Sequence, residues 1–176
     1  MPILTSVQQL AELLTDHAKP VIRPQRLAPS PIYDLDYRMA VIALVIRIHG
    51  TVTADASLRI DSARLKLLQF VAQRPVLMPV VTRWATKGAS KDSLLGSSQR
   101  LRRGYMGDST YDHVVDFMTA NGIVRWDGKY LAVSSSNSYI SAVFEASEKN
   151  GMFASERAVL LELKTLRITN AMLEGQ

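Results

Sequence analysis

The chain of 176 residues contains no cysteine. That absence excludes disulfides, thiolate metal sites and a cysteine nucleophile together. Long hydrophobic runs are missing too. The longest, MAVIALVI from Met39 to Ile46, stops at Arg47, well short of the roughly 20 residues a membrane span needs. The first residues, MPILTSVQQLAELLTDHAK, have neither a basic n-region nor a long apolar core, so no signal peptide is expected. A cytoplasmic location without a membrane partner is the expectation, and it suits a chain without cysteine.

Sites for chemistry are equally scarce. Neither the P-loop pattern nor GxGxxG occurs, so nothing cradles a nucleotide phosphate. The three histidines, His17, His49 and His113, lie in separate segments, and none has the spacing of a metal-ligand pair. His49 beside Gly50 reads as a helix-end residue. His113 falls on the outward side of a helix, either solvated or in reach of a phosphate. The run SSSNS has no elbow glycines and no base related to it, so capping explains it better than nucleophilic catalysis. Asp34 and Asp36 also read as caps. The expectation is therefore a non-enzyme, with no cofactor, no metal and no small-molecule substrate.

What is present is an ordinary globular composition, 47% apolar and 21% charged, long enough to bury a substantial core. The placement of charge is less ordinary. Arg83, Lys87, Lys91, Arg100, Arg102 and Arg103 stand against the single acid Asp92 between Arg83 and Gly104, so this segment alone carries the +5 of the whole chain. Clustered charge of this kind suits an anionic partner such as DNA, and it also suits a solvated loop. The Gly, Ser and basic composition of Lys87 to Gly104 predicts a mobile loop.

Periodicity organises the rest. Leu4 to His17 reads as an amphipathic helix, followed by a connector with Pro20, Pro24, Pro29 and Pro31, so residues 1–31 form an N-terminal docking helix and Pro-rich connector. A helix capped by Asp34 or Asp36 runs through Ile48 and closes at His49-Gly50; it is apolar almost all round, which makes it central. The polar loop TVTADASLR leads to a second helix, about Asp61 to Gln73. VLMPVVTRWA is a short buried segment. Another helix starts at Ser109 or Thr110, with Tyr111, Val114, Val115 and Met118 on one stripe, and Gly122 just past its end tolerates a positive φ.

Two apolar runs then flank Asp127-Gly128, the preferred type I′ pair of a hairpin. Pairing about that turn sets Val124 opposite Leu131, Trp126 opposite Lys129, and Arg125 opposite Tyr130. A two-stranded ribbon is marginal alone and must lean on the helix before it. The result is mainly α with a small β-hairpin: a winged helix-turn-helix core over 32–135, with C-terminal helices over 136–176. Of these, one runs through Tyr139, Val143 and Ala146 to Gly151, and the last reaches from Ala154 or Ser155 to about Leu173.

A DNA-reading winged helix places the helix before the wing in the major groove. Here that helix exposes Asp112, His113, Asp116 and Thr119 without a cation, a poor surface against a polyanion. A wing that mediates protein contact, with a nonspecific basic patch, fits the charges better. The candidate nucleic-acid or partner contacts are Lys91, Arg100, Arg102, Arg103, Arg125, Trp126 and Lys129. Trp126 has two readings, an exposed anchor or support for the ribbon.

The segments LDYRMAVIALVIRI, RIDSARLKLLQFVAQ and VVDFMTANGIVRWDGKYLAVS, spanning Leu35 to Ser135, resemble the middle component of three-component ABC-ATPase (ABC-3C) systems, relatives of the Lamassu anti-phage accessory C subunit. The family's second helix leads into a tryptophan-containing segment, whereas Trp84 comes later here, after two prolines. The resemblance implies a non-catalytic winged-helix accessory subunit of an anti-phage or anti-plasmid complex, bridging an SMC-like ATPase and an effector subunit. The other expectation from the wing and basic loop is a stand-alone winged-helix DNA-binding transcriptional regulator.

Overall fold

The computed structural model describes residues 34–87, 93–169 and 173. The expected N-terminal helix and its connector lie outside them. Seven helices and a four-stranded antiparallel sheet account for most of the described residues.

Helix α1 (Leu35–His49) is the centre of the core. The Asp34 carboxylate accepts from the Tyr37 N–H at 3.1 Å, satisfying one of the otherwise orphan amides of the first turn. Val41, Ala43, Leu44 and Val45 have no solvent contact, as a helix apolar on all sides requires. Gly50 ends it with φ −64°, not in the left-handed conformation. Glycine is needed there because a Cβ would meet the Ile46 carbonyl and approach Leu58.

The next segment is not a polar loop. Strands β1 (Thr51–Val52) and β2 (Ser57–Asp61) form a hairpin, with Thr51 opposite Arg59 and Val52 opposite Leu58. Asp61 then caps α2 (Ser62–Ala72), accepting from Ala63 N and Arg64 N at 3.0 and 3.3 Å. A 3₁₀ turn over Pro75–Leu77 leads into α3 (Met78–Lys87), which buries Val81 and Trp84 but leaves Val76 of the turn exposed.

The expected mobile loop is largely helix α4 (Ser93–Met106). Ser98, Leu101 and Tyr105 are buried at i, i+3 and i+7, so tertiary packing offsets the cost of Gly and Ser in a helix. Gly104 has a specific reason: a Cβ there would stand 3.0 Å from the Phe70 ring. A short turn at Gly107-Asp108 gives α5 (Ser109–Ala120), whose stripe Tyr111, Val114, Val115 and Met118 is buried as its spacing predicts. Gly122 follows with φ +68°.

Strands β3 (Arg125–Asp127) and β4 (Tyr130–Ser134) form the second hairpin. Its register differs from the expected one by two residues: Trp126 faces Leu131, Arg125 faces Ala132 and Asp127 faces Tyr130. The turn is Gly128-Lys129, with a positive φ at Gly128 only. That is the type II′ pattern, glycine first, so Asp127 remains in the strand. The ribbon does not lean on a helix alone. Strand β4 also pairs with β2 over five residues, in the order β1-β2-β4-β3.

Two further helices, α6 (Ser138–Lys149, capped by Asn137) and α7 (Ala154–Thr165), follow. Ile140, Leu160 and Leu163 join the same core as α1 and α2. The expected long last helix stops at Thr165, because Leu166 turns to an extended conformation with ψ 138°. Both ends of α1 are tied to α7: the Tyr37 hydroxyl donates to Glu156 at 2.7 Å, and His49 Nε2 lies 2.9 Å from the Leu160 carbonyl. Among the described residues no helix is long and apolar enough to cross a membrane.

Candidate interaction site

The orientation of α5 rests on a buried polar knot. Asp108 caps α5 by accepting from Tyr111 N at 3.3 Å. The same carboxylate accepts from Arg38 Nη1 of α1 at 3.2 and 3.1 Å and from Gln69 Nε2 of α2 at 3.3 Å. Arg38 is only 2% exposed and Asp108 8%. A charge so far from water is tolerated only when paired and hydrogen-bonded. One carboxylate therefore ties the first two helices to the start of the helix that precedes the hairpin.

The stripe that buries Tyr111, Val114, Val115 and Met118 leaves Asp112, His113, Asp116, Phe117 and Ala120 outward. Phe117 is 44% exposed. Asp112 pairs with Lys66 of α2 at 3.0 Å, and the face carries no cation of its own. Thr119 turns partly inward and donates to the Val115 carbonyl at 2.8 Å, so it belongs to the helix more than to its surface.

The basic candidates are dispersed. Arg100, Arg102 and Arg103 stand on α4, not on a loop; Arg100 and Arg103 are exposed and Arg102 is half-buried. Lys91 lies outside the described residues. Arg125 and Lys129 are on the second hairpin, and each is paired with an acid of the first: Arg125 with Asp55 and Lys129 with Asp61, both at 3.3 Å. A third pair, Arg59 with Asp127 at 3.1 Å, runs in the opposite sense. Thr53 and Ser57 hydroxyls donate to Asp55 as well, and these bonds hold its carboxyl below the usual carboxylate range.

The pairing pattern separates two faces of the sheet. Leu58, Ile60, Leu131 and Val133 are buried on the inner face, and Trp126 shares it by register. At the edge strand, however, Trp126 is 46% exposed. It is an exposed aromatic on the flank of the ribbon. The outer face carries Thr51, Arg59, Asp61, Tyr130, Arg125 and Asp127 in alternation with the apolar set.

Neither Arg59 nor Arg64 was anticipated as a site residue, although the signal was present: Ser57-Leu58-Arg59-Ile60-Asp61 alternates with period two. They line a cleft of about 430 Å³ between the end of α1, the outer sheet face and the start of α2. His49 forms one wall. Burial pushes its imidazole down to about 4, with Arg64 and Lys164 adding to the effect and the hydrogen bond to the Leu160 carbonyl opposing it. Among the described residues no three His, Asp or Glu side chains gather as a metal site. Comparison with family models, curated proteins and solved structures returns no match to this chain.

Proposed function

We propose that this protein is a non-catalytic winged-helix accessory subunit of an SMC-like ABC-ATPase defence complex, bridging the ATPase and an effector. The order of elements supports the winged-helix part. A strand between the first two helices returns to pair with the wing, α4-turn-α5 has helix-turn-helix order, and β3-β4 follows as the wing. The resemblance of Leu35 to Ser135 to three-component ABC-ATPase middle components supplies the partner class.

The observation that carries the reading is the outward face of α5. Phosphate contacts dominate DNA affinity, and base readout needs donors in the groove. A face with Asp116, an Asp112 already matched by Lys66, no cation of its own and an exposed Phe117 gives phosphate little to bind and offers an apolar anchor to protein. The wing adds little positive charge, since Arg125 and Lys129 are already paired with Asp55 and Asp61. Co-expression with the genes flanking this one, followed by affinity purification through a tag on this chain, tests the reading. Recovery of the ATPase, identified by mass spectrometry, is expected. Recovery of this chain alone from cells that contain both partners would overturn it.

A second reading, a stand-alone winged-helix DNA-binding transcriptional regulator, is favoured by one feature: exposed Arg100 and Arg103 on the helix just ahead of α5. They suit nonspecific contact with a phosphate backbone. Purified protein that shifts one operator-sized duplex with strong salt dependence and without other proteins would favour that reading.

A further inference from the structure

The geometry points to a binding site for a single oxyanion group, phosphate or carboxylate, borne by a small ligand and held in the cleft by Arg64 and Arg59. This goes beyond the docking role proposed above and uses a different part of the molecule. The cleft measures about 430 Å³, within the range of small-ligand pockets. Its floor is the outer face of β2 and β4, with Arg59 and Tyr130, and its walls are Thr51 of β1 and Arg64 in the first turn of α2.

Two features of these arginines suit an anionic group. The Nε atoms of Arg59 and Arg64 are both buried and lack a hydrogen-bond partner; Arg157 on α7 shares this but does not line the cleft. An oxyanion in the cleft would meet the partly exposed remainder of each guanidinium, since both residues are half-buried and line it. Arg64 also has no salt bridge with any described carboxylate. The guanidinium fork matches the oxygens of phosphate and carboxylate, which a compact ammonium does not.

The acid in the cleft does not cancel this. Asp61 accepts from two amides of α2 and pairs with Lys129 at 3.3 Å. Arg59 is partly committed, to Asp127 at 3.1 Å and over the Tyr130 ring at 4.6 Å. Those contacts fix its plane and leave Arg64 as the main source of unbalanced charge. Arg64 is thus the principal anchor, with Arg59 as the second fork.

Isothermal titration of the full chain with inorganic phosphate and, separately, with acetate, at constant ionic strength, tests the site. Saturable binding with a dissociation constant of about 1 mM or tighter is expected for at least one anion. Arg64→Gln should weaken it at least tenfold, and Arg59→Lys, which keeps the charge and loses the fork, should weaken it several-fold. Lys149→Gln on α6, an exposed cation outside the cleft, should leave it unchanged. Circular dichroism of each variant establishes that it folds. Preference for phosphate or for acetate assigns the ligand's acidic group. No saturable binding of either anion, or binding equal in wild type and in folded Arg64→Gln, would overturn the proposal. Because no ATPase or DNA is present in the titration, that failure leaves the docking role standing.

Discussion

Two arginine–aspartate pairs in this protein have nearly the same geometry and very different consequences. Arg38–Asp108 lies 3.1 Å apart with 2% and 8% exposure, whereas Arg125–Asp55 lies 3.3 Å apart with 66% and 60% exposure. The first pair sits among α1, α2 and α5, and the desolvated charges must keep each other. The second lies in water, where screening and side-chain entropy leave little net gain. The distance alone says nothing about strength; the surroundings decide it.

The comparison breaks most visibly on the buried side. Arg38→Ala strands the Asp108 carboxylate in the core and should cost about 3–5 kcal/mol in urea denaturation. The double variant Arg38→Met with Asp108→Asn keeps a side chain able to cap α5 and removes both charges. It should lose clearly less than Arg38→Ala, which would show that the cost comes from the stranded charge.

The next effect comes from His49, at the far end of α1. Its imidazole titrates at about 4 in the folded chain, against about 6.5 unfolded. Between those values the unfolded chain binds more protons, so stability rises with pH across that window and is lost on acidification toward 4. That gap corresponds to about 3.4 kcal/mol at most, and solvent around a half-buried ring reduces it to roughly 2 kcal/mol. Thermal or urea unfolding from pH 4.5 to 7 reads this slope, and His49→Gln should flatten it.

The smallest effect belongs to the exposed pair. Arg125→Ala should change stability by less than about 1 kcal/mol, and added salt should shrink even that. A loss as large as that of Arg38→Ala would mean that the outer face of the sheet holds the fold together.

These regions also differ in how far the sequence reveals them. The first two helices of the knot are legible because apolar residues recur at helical spacing behind clear caps: Asp34 and Asp61 each accept from the first turn they precede. The knot itself is not legible, since nothing local links Arg38 to Asp108 across 70 positions. The first hairpin is hidden by Thr, Ser and Asp in TVTADASLRI, where Leu58 and Ile60 mark the buried face. Helix α4 is obscured in the same way, because Gly and Ser lower intrinsic propensity while Phe70 packs against Gly104.

The second hairpin shows a finer limit. Asp-Gly locates the hairpin but not its turn residues: Gly128-Lys129 occupy the turn and Asp127 stays in β3, while β4 is held in register by β2, a strand contributed from far earlier in the chain. The candidate cations suffer from the same long range. Arg125 and Lys129 look available in sequence, and only the neighbouring hairpin brings Asp55 and Asp61 to them. Helical spacing places Asp112, His113 and Asp116 outward, as found; the exposed Phe117 is not read from it, and Thr119, expected outward, turns partly inward.

The central claim, that the outward face of α5 meets protein and does not read bases, is tested most directly by fluorescence anisotropy with a set of operator-sized duplexes of different sequence, at fixed low salt. The account predicts weak binding with affinities within about tenfold across the set, carried by nonspecific phosphate contact. A preference of about a thousandfold or more for one sequence, the scale of true base readout, would contradict it.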